Sequence, residues 1–213
     1  MNKKIFSENC NLSSYTTIKV GGVAEYFAEP RSVEELSYLI KWANLNKQRC
    51  QIIGAGSNLL INNIFIKGLV VCTKKLKSLE IKPYSGIVEA EAGVMLPTLS
   101  NSLAKNGLQG GEWAVGIPGT LGGAIYMNAG TGNLSLAKNL ISVKVINNKT
   151  HEKLEIEKKD INFEYRFSSF QRNDLTIISA RLHFEPNGDL EKLIQTTKNN
   201  LKLKTETQPY HQP

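Results

Sequence analysis

The residues of this chain best suited to chemistry are backbone amides left bare by glycine. One segment reads Gly116-Ile117-Pro118-Gly119-Thr120-Leu121-Gly122-Gly123-Ala124-Ile125-Tyr126-Met127-Asn128-Ala129-Gly130, and nine of the 17 glycines fall between Gly107 and Gly132. A second loop, Gly54-Ala55-Gly56-Ser57-Asn58, lies about sixty residues earlier. Exposed N–H groups in such loops make a cradle for phosphate. Neither loop is a Walker loop, which needs Gly-Lys-Ser/Thr after its spacer. Nor is Gly54 to Leu59 a Rossmann fingerprint, because Leu59 stands where the glycine that packs helix on strand belongs. Either loop alone is also what a tight turn between strands looks like. Two of them in one chain point to a single elongated, phosphate-bearing ligand held from two sides.

The elements that must position these loops are legible from periodicity. Ser32-Val33-Glu34-Glu35 is a capping box, and Val33, Leu36, Leu39, Ile40 and Ala43 recur at helical spacing behind it. The apolar run Cys50 to Ile53 reads as a strand that delivers the Gly54 loop, and Leu69 to Cys72 closes a first α+β unit. A second unit opens with an alternating strand near Gly86 to Ala92. A helix carrying Leu96, Leu99 and Leu103 comes next, and Gly107 can cap it. Beyond the glycine segment, Ile141, Val143 and Val145 alternate on one strand, and Ile178, Ala180, Leu182 and Phe184 on another, from which His183 faces solvent. The stretch Lys153 to Asp160 is charged and carries no strand assignment. A last helix spans about Asp189 to Lys204.

Composition narrows the function classes. The 213 residues are 41% hydrophobic and 21% charged, ordinary for a globular protein. The N-terminus has two lysines and no apolar region behind them, so the expected location is the cytoplasm. Cys10, Cys50 and Cys72 are widely spaced and read as reduced thiols, and His151, His183 and His211 are isolated, so no metal site is expected. The net charge of +7 sits mostly in residues 1–148, with 15 Lys+Arg against 9 Asp+Glu. That balance suits an anionic ligand such as a dinucleotide. Lys67, Lys74, Lys75, Lys77 and Lys82 form the one basic cluster that nucleic acid could use. No aromatic stacking platform accompanies it, and a solvated surface explains it as well.

Four motifs in order identify a family. Tyr15-Thr16-Thr17-Ile18-Lys19-Val20-Gly21-Gly22, the Gly54 loop, the Gly116–Gly130 segment and Tyr165-Arg166-Phe167-Ser168 resemble UDP-N-acetylenolpyruvoylglucosamine reductase, a bacterial flavoenzyme of peptidoglycan synthesis. Thr17 and Lys19 read equally as strand residues and as contacts. The resemblance implies an α+β fold, the two-subdomain FAD-binding fold of the vanillyl-alcohol-oxidase/PCMH type. The first subdomain is expected at 1–73 and the second at 74–205, with 206–213 the start of a linker to a third, substrate-binding domain that is absent. It implies FAD as cofactor, with Gly54, Ala55, Gly56, Ser57 and Asn58 on one side of the diphosphate and Gly116, Ile117, Pro118, Gly119, Thr120, Gly122 and Gly123 on the other. Asn128, Ala129 and Gly130 would lie nearer the ribityl chain or isoalloxazine.

The same resemblance implies NADPH and a UDP-sugar as partners and Arg166 as the catalytic residue. Its permanent guanidinium charge would stabilise the enol-like intermediate formed when hydride adds to the enolpyruvyl group. In relatives the third domain supplies the serine that protonates this intermediate and a catalytic glutamate. Loss of a positioned proton donor costs ~10² to 10⁴ in rate. Impaired turnover, or complementation by a separate C-terminal domain, is therefore expected. Two alternatives stay open: an FAD-binding module without reductase activity, and a non-flavin protein associated with nucleic acid through the basic cluster.

Overall fold

The computed structural model describes residues 5–62 and 64–207. In chain order the elements are β1 (Ser7–Asn11), β2 (Val23–Ala28), α1 (Val33–Leu45), β3 (Cys50–Ile53), β4 (Phe65–Cys72), β5 (Leu79–Lys82), β6 (Ile87–Glu91), α2 (Leu96–Lys105), α3 (Leu121–Tyr126), β7 (Gly130–Thr131), β8 (Leu134–Ser135), β9 (Leu140–Asn147), β10 (Lys153–Glu157), β11 (Phe163–Glu164), β12 (Phe167–Ser168), β13 (Leu175–His183) and α4 (Leu190–Thr207). They build two α+β lobes. The first is a four-stranded sheet ordered β1-β2-β4-β3, in which β2, β4 and β3 run parallel. The second is an antiparallel five-stranded sheet ordered β10-β9-β13-β6-β5.

Local chemistry accounts for the helices. Ser32 Oγ accepts from the Glu35 amide at 3.2 Å, and the Glu35 carboxylate accepts from the Arg31 amide at 2.7 Å, so the capping box satisfies two otherwise orphaned donors. Leu36, Leu39, Ile40 and Ala43 form the buried stripe of α1. Helix α2 ends in a Schellman turn, with Gly107 at φ +70° and the Leu108 amide bonded to the Leu103 carbonyl at 3.0 Å.

The structure departs from the sequence expectations in four places. Lys153–Glu157 is strand β10, an edge of the second sheet, and the lysine cluster contains the opposite edge strand β5. Charged side chains on both edges blunt further strand addition, and they also hide the strand pattern. Inside the glycine segment, residues 121–126 form helix α3, whose Gly122 lies so close to Ala92 that an added Cβ would come within 2.9 Å of the Ala92 Cβ. Packing outweighs the poor helix propensity of two glycines there. Thr17 and Lys19 lie in a turn and not in a strand, with Lys19 at φ +54°. Glu206 and Thr207 belong to α4, and residues 208–213 of the expected linker lie outside the described residues.

The two lobes share apolar core. Ile146 of β9 and Ile178 of β13 pack in one cluster with Ala28, Leu36, Leu39 and Val71 of the first lobe and with Leu76. At roughly 1.5–3 kcal/mol for each fully buried side chain, these two isoleucines tie the lobes together more strongly than the surface contacts between them.

Candidate functional site

The site begins where the parallel strands end. β3 delivers Gly54-Ala55-Gly56-Ser57-Asn58 at its carboxyl end, and residues 116–120 cross against that loop. Ser57 Oγ donates to the Pro118 carbonyl at 3.1 Å, joining loops 61 positions apart. At Gly54 an added Cβ would collide with Thr120 Oγ1, so a side chain there would force that hydroxyl to move. Gly119 adopts φ +127°, and an added Cβ there would meet Ser57 Oγ at 2.9 Å. The entry motif joins them: the Thr17 amide donates to the Gly56 carbonyl at 3.3 Å, and Gly56, at φ +68°, lies against the Tyr15 carbonyl.

Two buried polar atoms of the glycine segment have no partner among the described residues. Thr120 is 2% exposed and its Oγ1 makes no hydrogen bond. Asn128, at φ +43°, donates from Nδ2 to the Glu164 carbonyl at 2.8 Å, and its Oδ1 is buried without a donor. Buried polar atoms normally have partners. Ser100 and Thr197 also have hydroxyls unpaired among the described residues, but they are core positions of α2 and α4. At Thr120 the orphaned hydroxyl coincides with cramped glycine backbone at Gly54, and Asn128 adds a buried acceptor later in the same segment, so the residues present fit a polar, extended ligand such as FAD.

Not every glycine of the segment is explained by an open cradle. Gly116 lies under the aliphatic stem of Lys204, Gly122 against Ala92, and Gly130 against Leu134 and Ser135, while Ala129 is core. Ile117 is half-buried and packs on the second lobe's core. Gly123 has Thr120 Oγ1 3.6 Å from the position of an added Cβ. Asn58 is exposed at the far end of its loop.

Arg166 sits at the tip of the β11–β12 hairpin, in a two-residue turn with Tyr165. Its backbone is left-handed at φ +56°, an uncommon conformation for a residue with a side chain. The guanidinium lies 5.7 Å from the centre of the Tyr165 ring. The hairpin is docked on the last turn of α3: Ser168 Oγ and Gln171 Nε2 donate to the Tyr126 carbonyl at 2.8 and 2.9 Å, and Gln171 Nε2 also reaches the Arg166 carbonyl at 3.2 Å. With the Asn128–Glu164 bond, these contacts bring Arg166 and the glycine segment into one unit.

Sequence reasoning placed Tyr15 and Thr16 in the entry motif and did not assign Glu29, Cys72 or Lys74 to the site. Tyr15, Thr16, Glu29, Cys72 and Lys74 line a cavity of about 280 Å³ together with Gly54 and Ala55. Cys72 Sγ donates to the Gly54 carbonyl at 3.3 Å, and burial raises its thiol above the ordinary range, so it is a protonated donor there. Burial, and then the Glu29 carboxylate, likewise raise the Tyr15 phenol. The only available signal was position, since Glu29 and Lys74 lie just past the carboxyl ends of β2 and β4. Among the described residues no group of three His, Cys, Asp or Glu is placed to hold a metal, and no helix is long and apolar enough to cross a membrane.

Known proteins match this arrangement. The FAD binding domain family matches residues 24–152, more than half of the chain. UDP-N-acetylenolpyruvoylglucosamine reductase of Prochlorococcus marinus subsp. pastoris is 68% identical over 208 residues, covering 98% of this chain and 70% of that protein. The reductase of another Prochlorococcus marinus strain is 46% identical, with 99% and 72% covered. Among solved structures, UDP-N-acetylenolpyruvylglucosamine reductase (MurB) of Thermus caldophilus superposes with a TM-score of 0.76 at 27% identity, over 94% of this chain and 70% of that one. Phl p 4, a glucose dehydrogenase, shares the fold alone, with a TM-score of 0.62 at 11% identity over 87% of this chain and 42% of its own. With the two joined glycine loops and this degree of identity, the chain belongs to the UDP-N-acetylenolpyruvoylglucosamine reductases, FAD-dependent oxidoreductases of peptidoglycan synthesis.

Proposed function

We propose that this chain is the FAD-holding part of an NADPH-dependent reductase that converts UDP-N-acetylglucosamine-enolpyruvate to UDP-N-acetylmuramate. In this reading residues 1–73 and 74–205 are the two cofactor-binding lobes. The observation that carries it is the junction of Ser57 with Pro118 beside the unpartnered Thr120 hydroxyl. Bound FAD supplies the hydride-transfer chemistry. The loops Gly54–Asn58 and Gly116–Gly123 would hold its diphosphate on those backbone amides not already engaged, since Ile117, Leu121 and Gly122 donate to Ala114, Val94 and Ala92 and Pro118 has no N–H. The Asn58 amide and the Thr120 hydroxyl would add short side-chain hydrogen bonds, while Ser57, whose hydroxyl donates to Pro118, would hold the two loops together. Asn128 and Gly130 would flank the flavin end, with the buried Ala129 supporting them from the core.

Arg166 acts on the substrate. Its guanidinium pairs with the carboxylate of the enolpyruvyl group and stabilises the negative charge that builds there as hydride adds. Removing one such group typically costs ~10² to 10³ in rate. Ser168 is not the acid that completes the reaction, because its hydroxyl is fully buried and already donates to Tyr126. The test is an absorbance scan of purified protein between about 300 and 550 nm, a window set by the flavin chromophore the cofactor would bring. Anaerobic NADPH and then the enolpyruvyl substrate are added in turn. Flavin bands that bleach with NADPH support the first half-reaction, and reoxidation by substrate supports the second. Bands that persist identify a binding module without reductase activity, and colourless protein after reconstitution with FAD sinks the reading.

A further inference from the structure

The parallel strands β2, β4 and β3 end side by side at Ala28, Cys72 and Ile53, and they lead into Glu29, the Thr73–Lys75 turn and the Gly54 loop respectively. Open parallel sheets bind ligands outside their carboxyl ends. The cavity beside Gly54 and Ala55 adjoins a second one of about 440 Å³, and Glu29 and Lys74 line both. Lys77, Met95 and Thr98 line only the second. A volume of that order is what a nucleoside-sized ligand requires. Neither cavity is lined by any residue of the 116–130 segment or of the Arg166 hairpin. An elongated ligand pinned where Gly54 meets Thr120 would have one half toward Asn128 and the other in this groove.

We propose that Glu29, seconded by Lys74, recognises the adenosine half of the dinucleotide and makes the chain select FAD over FMN. The inference rests on the FAD reading above and adds residues to it. Glu29 Oε2 accepts from Lys75 Nζ at 2.9 Å and from the Tyr15 hydroxyl at 3.5 Å, which fixes the carboxylate and leaves Oε1 without a partner among the described residues. A fixed carboxylate oxygen facing a groove is the acceptor that a ribose diol needs. Lys75 cancels the charge that would otherwise repel the neighbouring diphosphate. Lys74 has no carboxylate partner among the described residues, so its ammonium is available to the phosphate on the adenosine side. FMN carries neither the ribose diol nor the second phosphate, so it makes none of these contacts.

The experiment compares FAD and FMN binding to the full chain, stripped of flavin, by calorimetry for wild type, Glu29→Ala, Glu29→Gln and Lys74→Met. The ratio of the two affinities within each variant cancels any partial loss of folded protein. For wild type the ratio favours FAD. In Glu29→Ala it falls about tenfold, as expected for losing hydrogen bonds to a charged acceptor, with FMN affinity unchanged. Glu29→Gln recovers part of the loss, and Lys74→Met lowers FAD affinity while flattening its dependence on salt. Equal weakening of both flavins in Glu29→Ala, or no change in the ratio, overturns the proposal while leaving the FAD reading intact. Failure of wild type to bind FAD overturns both.

Discussion

Thr120 carries a buried hydroxyl with no hydrogen-bond partner among the described residues. Replacing it by valine keeps the volume and removes a buried, unpaired polar atom. The expected outcome is FAD affinity about tenfold weaker in a calorimetric titration, with the melting temperature of the apoprotein unchanged or higher. Unaltered affinity would mean that the hydroxyl faces protein only. Gly54 tests the same spot from the other side. Gly54→Ala drives a methyl into Thr120 Oγ1 and lowers the melting temperature, and adding Thr120→Ala removes the obstructing oxygen. The double variant is expected to regain stability without regaining FAD affinity, a non-additivity that isolates the contact. The glycines were legible in the sequence because glycine is conspicuous wherever backbone is cramped. Glu29, Lys74 and Cys72 were not, since their convergence depends on the parallel pairing of β2, β4 and β3.

Elements were legible where one face is buried and lost where both faces are compromised. Helices α1 and α2 show their apolar stripes at helical spacing, and β3 was read at its observed bounds. β10 was missed because Lys-Leu-Glu-Ile-Glu on a sheet edge buries little, with Leu154 41% exposed. The β11–β12 hairpin has two residues in each strand, too few for any period, and only the family motif drew attention to it. Its turn makes a prediction at this scale. Arg166 occupies a left-handed conformation that glycine adopts freely, so Arg166→Gly is expected to keep the melting temperature within a few degrees. The same variant is expected to keep flavin bleaching by NADPH while reoxidation by the enolpyruvyl substrate slows ~10² to 10³-fold. Equal loss of both half-reactions in stopped-flow absorbance would assign the hairpin a structural role instead.

The lobes are joined on two levels, and each responds to a different variable. At the surface, α1 meets the β9–β10 hairpin through Glu34–Lys153 at 3.2 Å and through Asn44, whose Nδ2 bonds the Asn148 carbonyl and approaches His151 Nε2 at 2.9 Å. The Glu34 carboxyl is held below its ordinary range, first by its own backbone amide and then by Lys153. A depressed carboxyl contributes stability that is present above its unfolded pKa and lost as pH falls through the folded value. Glu34→Gln is therefore expected to be slightly less acid-sensitive than wild type below about pH 4.5, the ordinary carboxylate range, when melting temperature is measured against pH. In the interior, Ile178 of the second sheet is 4% exposed in a cluster with Leu36, Leu39 and Val71 of the first lobe. Truncating it to alanine leaves a cavity that both lobes border, at about 2–5 kcal/mol. If the lobes were independent, that loss would split the melt into two transitions. A shared core predicts one transition displaced as a whole. Saturating FAD, at about 100 times its Kd, would then return ~2.7 kcal/mol to wild type and variant alike. Differential scanning calorimetry of the two proteins with and without FAD decides it, and a biphasic melt in the variant would show that the core clusters unfold separately.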